Sequence, residues 1–187
     1  MNVTWEQLES AVYHCCSCGL CRDRQNTVLG EGNKQAEIMF IGEGPGAEED
    51  LQGRPFVGPA GQLLTKMIEA IGLSRSDVYI ANAVKCRPPH NRVPTPQEIQ
   101  ACKNYLRAQV ALIHPKIIVL LGNTAIQTVL PSENTISKIR GVWKESKGYY
   151  IIATYHPSYL LRSPDQKAKS WEDFKKIRDK LLELRQL

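Results

Sequence analysis

The sequence predicts an α/β fold with three layers, in which helices cover both faces of a central, mainly parallel four-stranded sheet. Two observations carry this. Short apolar runs alternate along the chain with segments whose apolar residues recur at helical spacing, a pattern that closes most economically as a parallel sheet with right-handed crossovers. In addition, three polar clusters stand directly behind predicted strands, where open α/β sheets bind their ligands. At 187 residues the chain is expected to form one domain spanning 1–187, and 42% hydrophobic with 23% charged residues excludes a disordered or low-complexity chain. The longest uncharged apolar run, 117–122, is far short of the roughly 18 residues that cross a bilayer. The first residues lack a basic and then apolar leader. A monomer in the cytoplasm, without membrane attachment and with protein partners left open, is the expectation.

Each element has a local cause. Thr4-Trp5-Glu6-Gln7 fits a capping box, so a first helix is predicted to run to about Tyr13. Residues 37–41 form a short apolar run closed by Gly42, a buried strand. Residues 60–71 place Leu63, Leu64, Met67, Ile68 and Ile71 on one helical face and stop at Gly72. A strand over 78–84 follows. Thr95-Pro96 reads as an N-cap with Pro at the first helical position, opening a long helix that Pro115 ends. Residues 116–121 make the third strand, 123–130 a short helix and 149–154 the fourth strand. Ser163-Pro164 is expected to cap a last helix that turns Trp171, Phe174, Ile177, Leu181 and Leu184 inward.

The polar clusters behind the strands are Gly42-Glu43-Gly44-Pro45-Gly46, Lys85-Cys86-Arg87 behind Asn82, and Tyr155-His156-Pro157-Ser158. They should converge on one sheet edge. Charge is concentrated near the second cluster: residues 84–116 hold Lys85, Arg87, Arg92, Lys103, Arg107 and Lys116 against Glu98 alone, a local excess that equals the whole net charge of +5. A solvated face explains such a run as readily as a polyanion site does. Six cysteines in a reducing compartment read as metal or redox chemistry before disulfides. Cys15 and Cys18 form a C-x2-C pair, and Cys86 and Cys102 form a distant second pair; four thiolates suit zinc or an iron-sulfur cluster equally. Cys16 and Cys21 are spare, with Cys21 the rival of Cys15.

Gly42-Glu43-Gly44-Pro45-Gly46-Ala47-Glu48-Glu49-Asp50 with Gly53-Arg54-Pro55-Phe56-Val57-Gly58 resembles the first motif of the type-4, iron-sulfur uracil-DNA glycosylases. Asn82-Ala83-Val84-Lys85-Cys86-Arg87-Pro88-Pro89 and His156-Pro157-Ser158-Tyr159-Leu160-Leu161-Arg162 are similar to later blocks of that family, in the same order. The resemblance implies a uracil-DNA glycosylase-like fold and removal of uracil from DNA as a free base, leaving an abasic site in base excision repair. It further implies a 4Fe-4S cluster on Cys15, Cys18, Cys86 and Cys102, with uracil-containing DNA as the binding partner. Asn82 would read uracil O4 and N3–H, Phe56 would stack on the base, and His156 would donate to uracil O2 as a neutral imidazole. Gly42, Gly44 and Ser158 would line the substrate and its phosphates, aided by Lys85, Arg87 and Arg92. Glu43 and Glu49 are the acidic candidates; Glu49 would order water or crowd the C5 methyl of thymine. Related glycosylase families carry an Asp at the position of Gly44, so the usual general base is missing. Leu160, Leu161 and Arg162 would form the wedge that fills the gap left by a flipped nucleotide.

Overall fold

A computed structural model describes residues 3–131 and 133–186. Helix α1 (Trp5–Tyr13) begins at Thr4, whose hydroxyl accepts from the Gln7 N–H at 3.3 Å while Gln7 Oε1 accepts from the Thr4 N–H at 3.0 Å. The capping box is closed from both sides. A 3-10 turn (Gly19–Cys21) and strand β1 (Glu31–Gly32) lead into β2 (Ile38–Gly42), α2 (Ala47–Gln52), α3 (Pro59–Ala70) and β3 (Tyr79–Asn82). Helix α4 (Pro96–Ile113) has the predicted Thr95 cap, boxed by Glu98, with Pro96 in its first turn. The rest runs β4 (Ile117–Leu121), α5 (Asn123–Val129), α6 (Ile136–Ile139), β5 (Lys144–Ser146), β6 (Tyr149–Thr154), α7 (Pro157–Arg162) and α8 (Lys167–Arg185).

The sheet order is β1-β3-β2-β4-β6-β5. Its centre, β3-β2-β4-β6, is parallel and consists of the four expected strands. The count is nonetheless six, because β1 and β5 add antiparallel at the two edges. Glu31-Gly32 and Lys144-Glu145-Ser146 are too short and too polar to register as apolar runs. Helices α2, α6 and α7 likewise went unpredicted, since four to six residues are too few to show a helical period.

Side chains alternate across the sheet. Met39, Ile41, Ala81, Ile118, Leu120 and Ile151 face α4, α5 and α6, while Ile38, Phe40, Ile80, Val119 and Ile152 face α3 and α8. The three layers follow directly from this period of two. No described helix is long and apolar enough to cross a membrane. The last helix departs from expectation at its start: Ser163 makes no side-chain cap, residues Pro164–Gln166 form a 3-10 turn, and Trp171 is exposed. The inward positions of that turn are taken instead by Ser170 and Asp173.

Asp173 is buried, and it ties three segments together. Its Oδ2 accepts from the Thr154 hydroxyl at 2.7 Å and its Oδ1 accepts from Arg140 Nη1 at 2.7 Å, fixing the end of β6 from which the His156 loop departs. Asp173→Ala would leave the buried Thr154 hydroxyl with Ser170 Oγ alone, at 3.0 Å, and would unpair the Arg140 guanidinium. We expect it to lower the unfolding free energy by about 3 kcal/mol, read as a fall in the denaturation midpoint.

Candidate functional site

The parallel strands end in register, Gly42 beside Asn82 and Leu121 beside Thr154, so the loops behind them open on one edge. There they enclose a cavity of about 1030 Å³ whose walls include Glu43, Gly44, Glu49, Phe56, Asn82, Thr124, His156, Ser158 and Arg162. Gly42 lies behind the wall. A Cβ there would stand 2.5 Å from both Asn82 Oδ1 and Phe56 Cζ, so the glycine allows the amide and the ring to meet.

Asn82 is 1% exposed, and neither its Oδ1 nor its Nδ2 has a hydrogen-bond partner among the described residues. A buried primary amide in that state costs a few kcal/mol in the free protein. It is poised for a ligand with one donor and one acceptor side by side.

Phe56 lies beside it with a φ of 52°, a left-handed backbone that a non-glycine residue adopts only under constraint. The constraints are visible. Arg75 donates from Nη1 to Phe56 O at 3.0 Å and from Nη2 to Pro55 O at 2.8 Å. Glu49 Oε1 accepts from the Val57 and Gly58 N–H groups, each at 2.9 Å, and its Oε2 accepts from Gly46 N–H at 3.1 Å. Glu49 therefore clamps the first-motif loop to the Phe56 loop, and both of its oxygens are already engaged.

His156 completes the floor, its ring centroid 5.6 Å from that of Phe56. Its Nδ1 accepts from the Ser158 N–H at 3.1 Å and sits 2.8 Å from Ser158 Oγ. The amide hydrogen cannot turn away, so Nδ1 stays the acceptor and the proton resides on Nε2. Burial foremost, with Arg162 adding, pushes the imidazole down to about 4, so the ring is neutral at ordinary pH. Gly122, at φ +83, leaves room for it: a Cβ there would reach His156 Cβ at 3.0 Å.

Glu43 is held by a short hydrogen bond from the Thr124 hydroxyl to its Oε2, while its Oε1 receives none from any described residue. Gly44 cannot be replaced freely, since a Cβ would sit 2.8 Å from Val84 Cγ2. Thr124 was not anticipated, although the rule that ligands gather behind strands, applied to β4, would have found it. Arg75 carried no local signal at all.

Two expectations need correction. Lys85 is buried and points inward, donating to Asn82 O at 2.8 Å and to Gln109 Oε1 at 2.6 Å, and burial presses its pKa down to about 8. It supports the Asn82 loop from behind and reaches no phosphate. Leu160 is fully buried in α7, packed where no DNA can touch it, so the exposed apolar tip there is Leu161 at 43% exposure, followed by Arg162.

The thiols gather away from the cavity. All six are free, and Cys15, Cys18, Cys21, Cys86 and Cys102 line one small hollow with Tyr105 and Arg24. Cys16 is exposed. Arg24 donates from Nη1 to Cys86 Sγ at 3.1 Å and to Cys15 O at 2.7 Å, giving an anionic sulfur its counter-charge. Burial pushes Cys86 up and Cys102 up to about 11, so ligation by either must release a proton. Among the described residues no three His, Cys, Asp or Glu side chains converge to hold a single metal ion. Five thiols lining one hollow supply the soft sulfur donors that a thiolate-held zinc or iron-sulfur group takes.

A family profile described as the uracil DNA glycosylase superfamily matches residues 29–181. A type-4 uracil-DNA glycosylase of Thermotoga maritima is 49% identical over 162 residues, covering 84% of this chain and 83% of the relative. A type-4 uracil-DNA glycosylase of Sulfurisphaera tokodaii is 49% identical over 183 residues, 93% of this chain and 83% of the relative. One from Archaeoglobus fulgidus is 46% identical over 174 residues, 89% and 87% of the two chains. An unpartnered amide, a clamped aromatic ring and a neutral imidazole thus sit on a chain that belongs to the uracil DNA glycosylase superfamily, within its type-4 branch.

Proposed function

We propose that this protein is a uracil-DNA glycosylase that captures an extrahelical uracil nucleotide and hydrolyses its N-glycosidic bond without cutting the strand. One observation carries the reading: the buried Asn82 amide, with both polar atoms free, faces a cavity beside the Phe56 ring. Uracil presents an N3–H donor next to the O4 acceptor and satisfies both atoms, whereas cytosine presents the reverse pattern and leaves both opposed. The base stacks on Phe56 as it enters.

Bond cleavage leaves negative charge on the uracil ring and oxocarbenium character on the sugar. His156 Nε2–H donates to uracil O2 as the charge develops, and because the imidazole is neutral it stabilises the anion without having to surrender a proton. Water then adds to C1′: its hydroxyl stays on the sugar and its proton ends on the released base. Glu43 is the carboxylate we assign to orient that water. Its Oε1 is free and its Oε2 is steadied by Thr124, while Glu49 is occupied in clamping the loops. Among the described residues no lysine lines the cavity, in keeping with a reaction that forms no Schiff base.

We further assign Cys15, Cys18, Cys86 and Cys102 as holders of a 4Fe-4S cluster, which supplies cross-linking rather than chemistry at the base. It would tie the 15–18 turn to the root of the loop after β3 and to α4.

Four outcomes are expected. On a uracil-containing oligonucleotide the protein should generate alkali-labile abasic sites. His156→Ala and Asn82→Ala should lower the single-turnover rate by about 100-fold or more, with DNA binding largely kept; undiminished rates in both would remove the assignment. Excision should hold steady from about pH 8 to about pH 5 and fall as the pH drops through about 4, where His156 gains its proton. The sign follows from a folded pKa below that of a free histidine: the neutral form, needed by the Ser158 N–H, is retained until strong acid. His156→Gln, which keeps a neutral donor, should lose that limb. Finally, Cys15→Ser or Cys102→Ser should abolish the broad visible absorption and bound iron, while Cys16→Ser and Cys21→Ser retain both.

A further inference from the structure

We infer that Val93 is a second apolar contact on the DNA, pressing on the uracil-bearing duplex from the side of the cavity mouth opposite Leu161. The inference rests on the glycosylase reading above and extends it to residues outside the pocket. Residues 90–93 are all exposed although Pro88 and Pro94 on either side are buried, and Val93, at 62% exposure, stands at the tip. A lone exposed valine is ordinary. This one lines the mouth of the cavity, beside Arg92 and Asn91.

Its loop is built stiff. Arg92 makes a two-pronged pair with Glu98, Nη1 to Oε2 at 2.8 Å and Nη2 to Oε1 at 2.7 Å, and Arg87 Nε donates to Asn91 Oδ1 at 2.7 Å. Those pairings fix the loop that carries an exposed apolar side chain next to Arg92, an arrangement suited to a polyanion whose bases are apolar and whose backbone is charged.

Topology sets the spacing. Val93 follows β3 and Leu161 follows β6, and β2 and β4 lie between those strands. The two tips therefore stand on either side of a nucleotide drawn into the cavity, with Arg162 beside Leu161 as Arg92 is beside Val93. Leu161 would fill the vacated step and Val93 would hold the neighbouring stack open.

The test compares single-turnover excision from a uracil·guanine duplex and from the same strand alone, for wild type, Val93→Ala, Val93→Leu and Leu161→Ala. 2-Aminopurine next to the uracil reports unstacking on binding. Val93→Ala is expected to lower the duplex rate several-fold more than the single-strand rate and to reduce the fluorescence rise, with Val93→Leu restoring both. Equal losses on the two substrates would make Val93 a wall of the cavity, and no loss on either would leave it to solvent; both overturn the proposal. A wild-type protein that excises uracil from neither substrate instead removes the glycosylase reading itself, a result separable from the other two.

Discussion

A single unsatisfied amide organises this protein. Asn82 is sealed at the carboxyl end of a central strand with nothing to bond, and burying such a group costs a few kcal/mol. On the reading proposed above, a complementary base would satisfy both atoms, so the amide would penalise a base with the opposite hydrogen-bond pattern. Discrimination of this kind depends on the amide being unable to turn away or find water. Gly42 admits the side chain, and Lys85, itself buried and hydrogen-bonded to Asn82 O and Gln109, fixes the backbone behind it.

The same logic governs the aromatic platform. Phe56 holds a left-handed backbone, a conformation of order 1 kcal/mol above the alternatives. It is kept there by Arg75 from one side and Glu49 from the other. Three acidic residues of the first motif, Glu43, Glu49 and Asp50, thus serve different ends. Asp50 is buried and its Oδ1 accepts from the Gln25 and Asn26 N–H groups at 2.9 and 3.2 Å, Glu49 clamps the loops, and Glu43 keeps its Oε1 free at the cavity wall.

What could be read from the sequence follows from the range of the interactions. Caps at Thr4 and Thr95 were legible because they close within three residues, and the four parallel strands because each is a continuous apolar run. Short motifs mark Asn82, Phe56 and His156, and the fold brings the three to one cavity. The residues that hold those side chains in place were not legible. Arg75 reaches Phe56 across 19 positions, Gln109 reaches Lys85 across 24, and Thr124 reaches Glu43 across 81. No local pattern encodes such contacts; only the crossovers of the sheet bring them together.

Charge shows the same limit in a form that bears on DNA binding. Residues 84–116 carry the whole net charge, yet composition does not separate cations that face a phosphate from cations that hold the fold. Lys85 is consumed inside, and Lys116 is paired with Glu37 at 3.0 Å near the amino ends of the strands, away from the cavity mouth. Only Arg87 and Arg92 from this stretch belong to the loop at the mouth, with Arg162 facing them from α7. The salt dependence of binding counts phosphates neutralised rather than lysines and arginines present. On the proposed function, phosphate contacts would fall to a few guanidinium groups on two loops, and Arg92 could make one only in competition with Glu98.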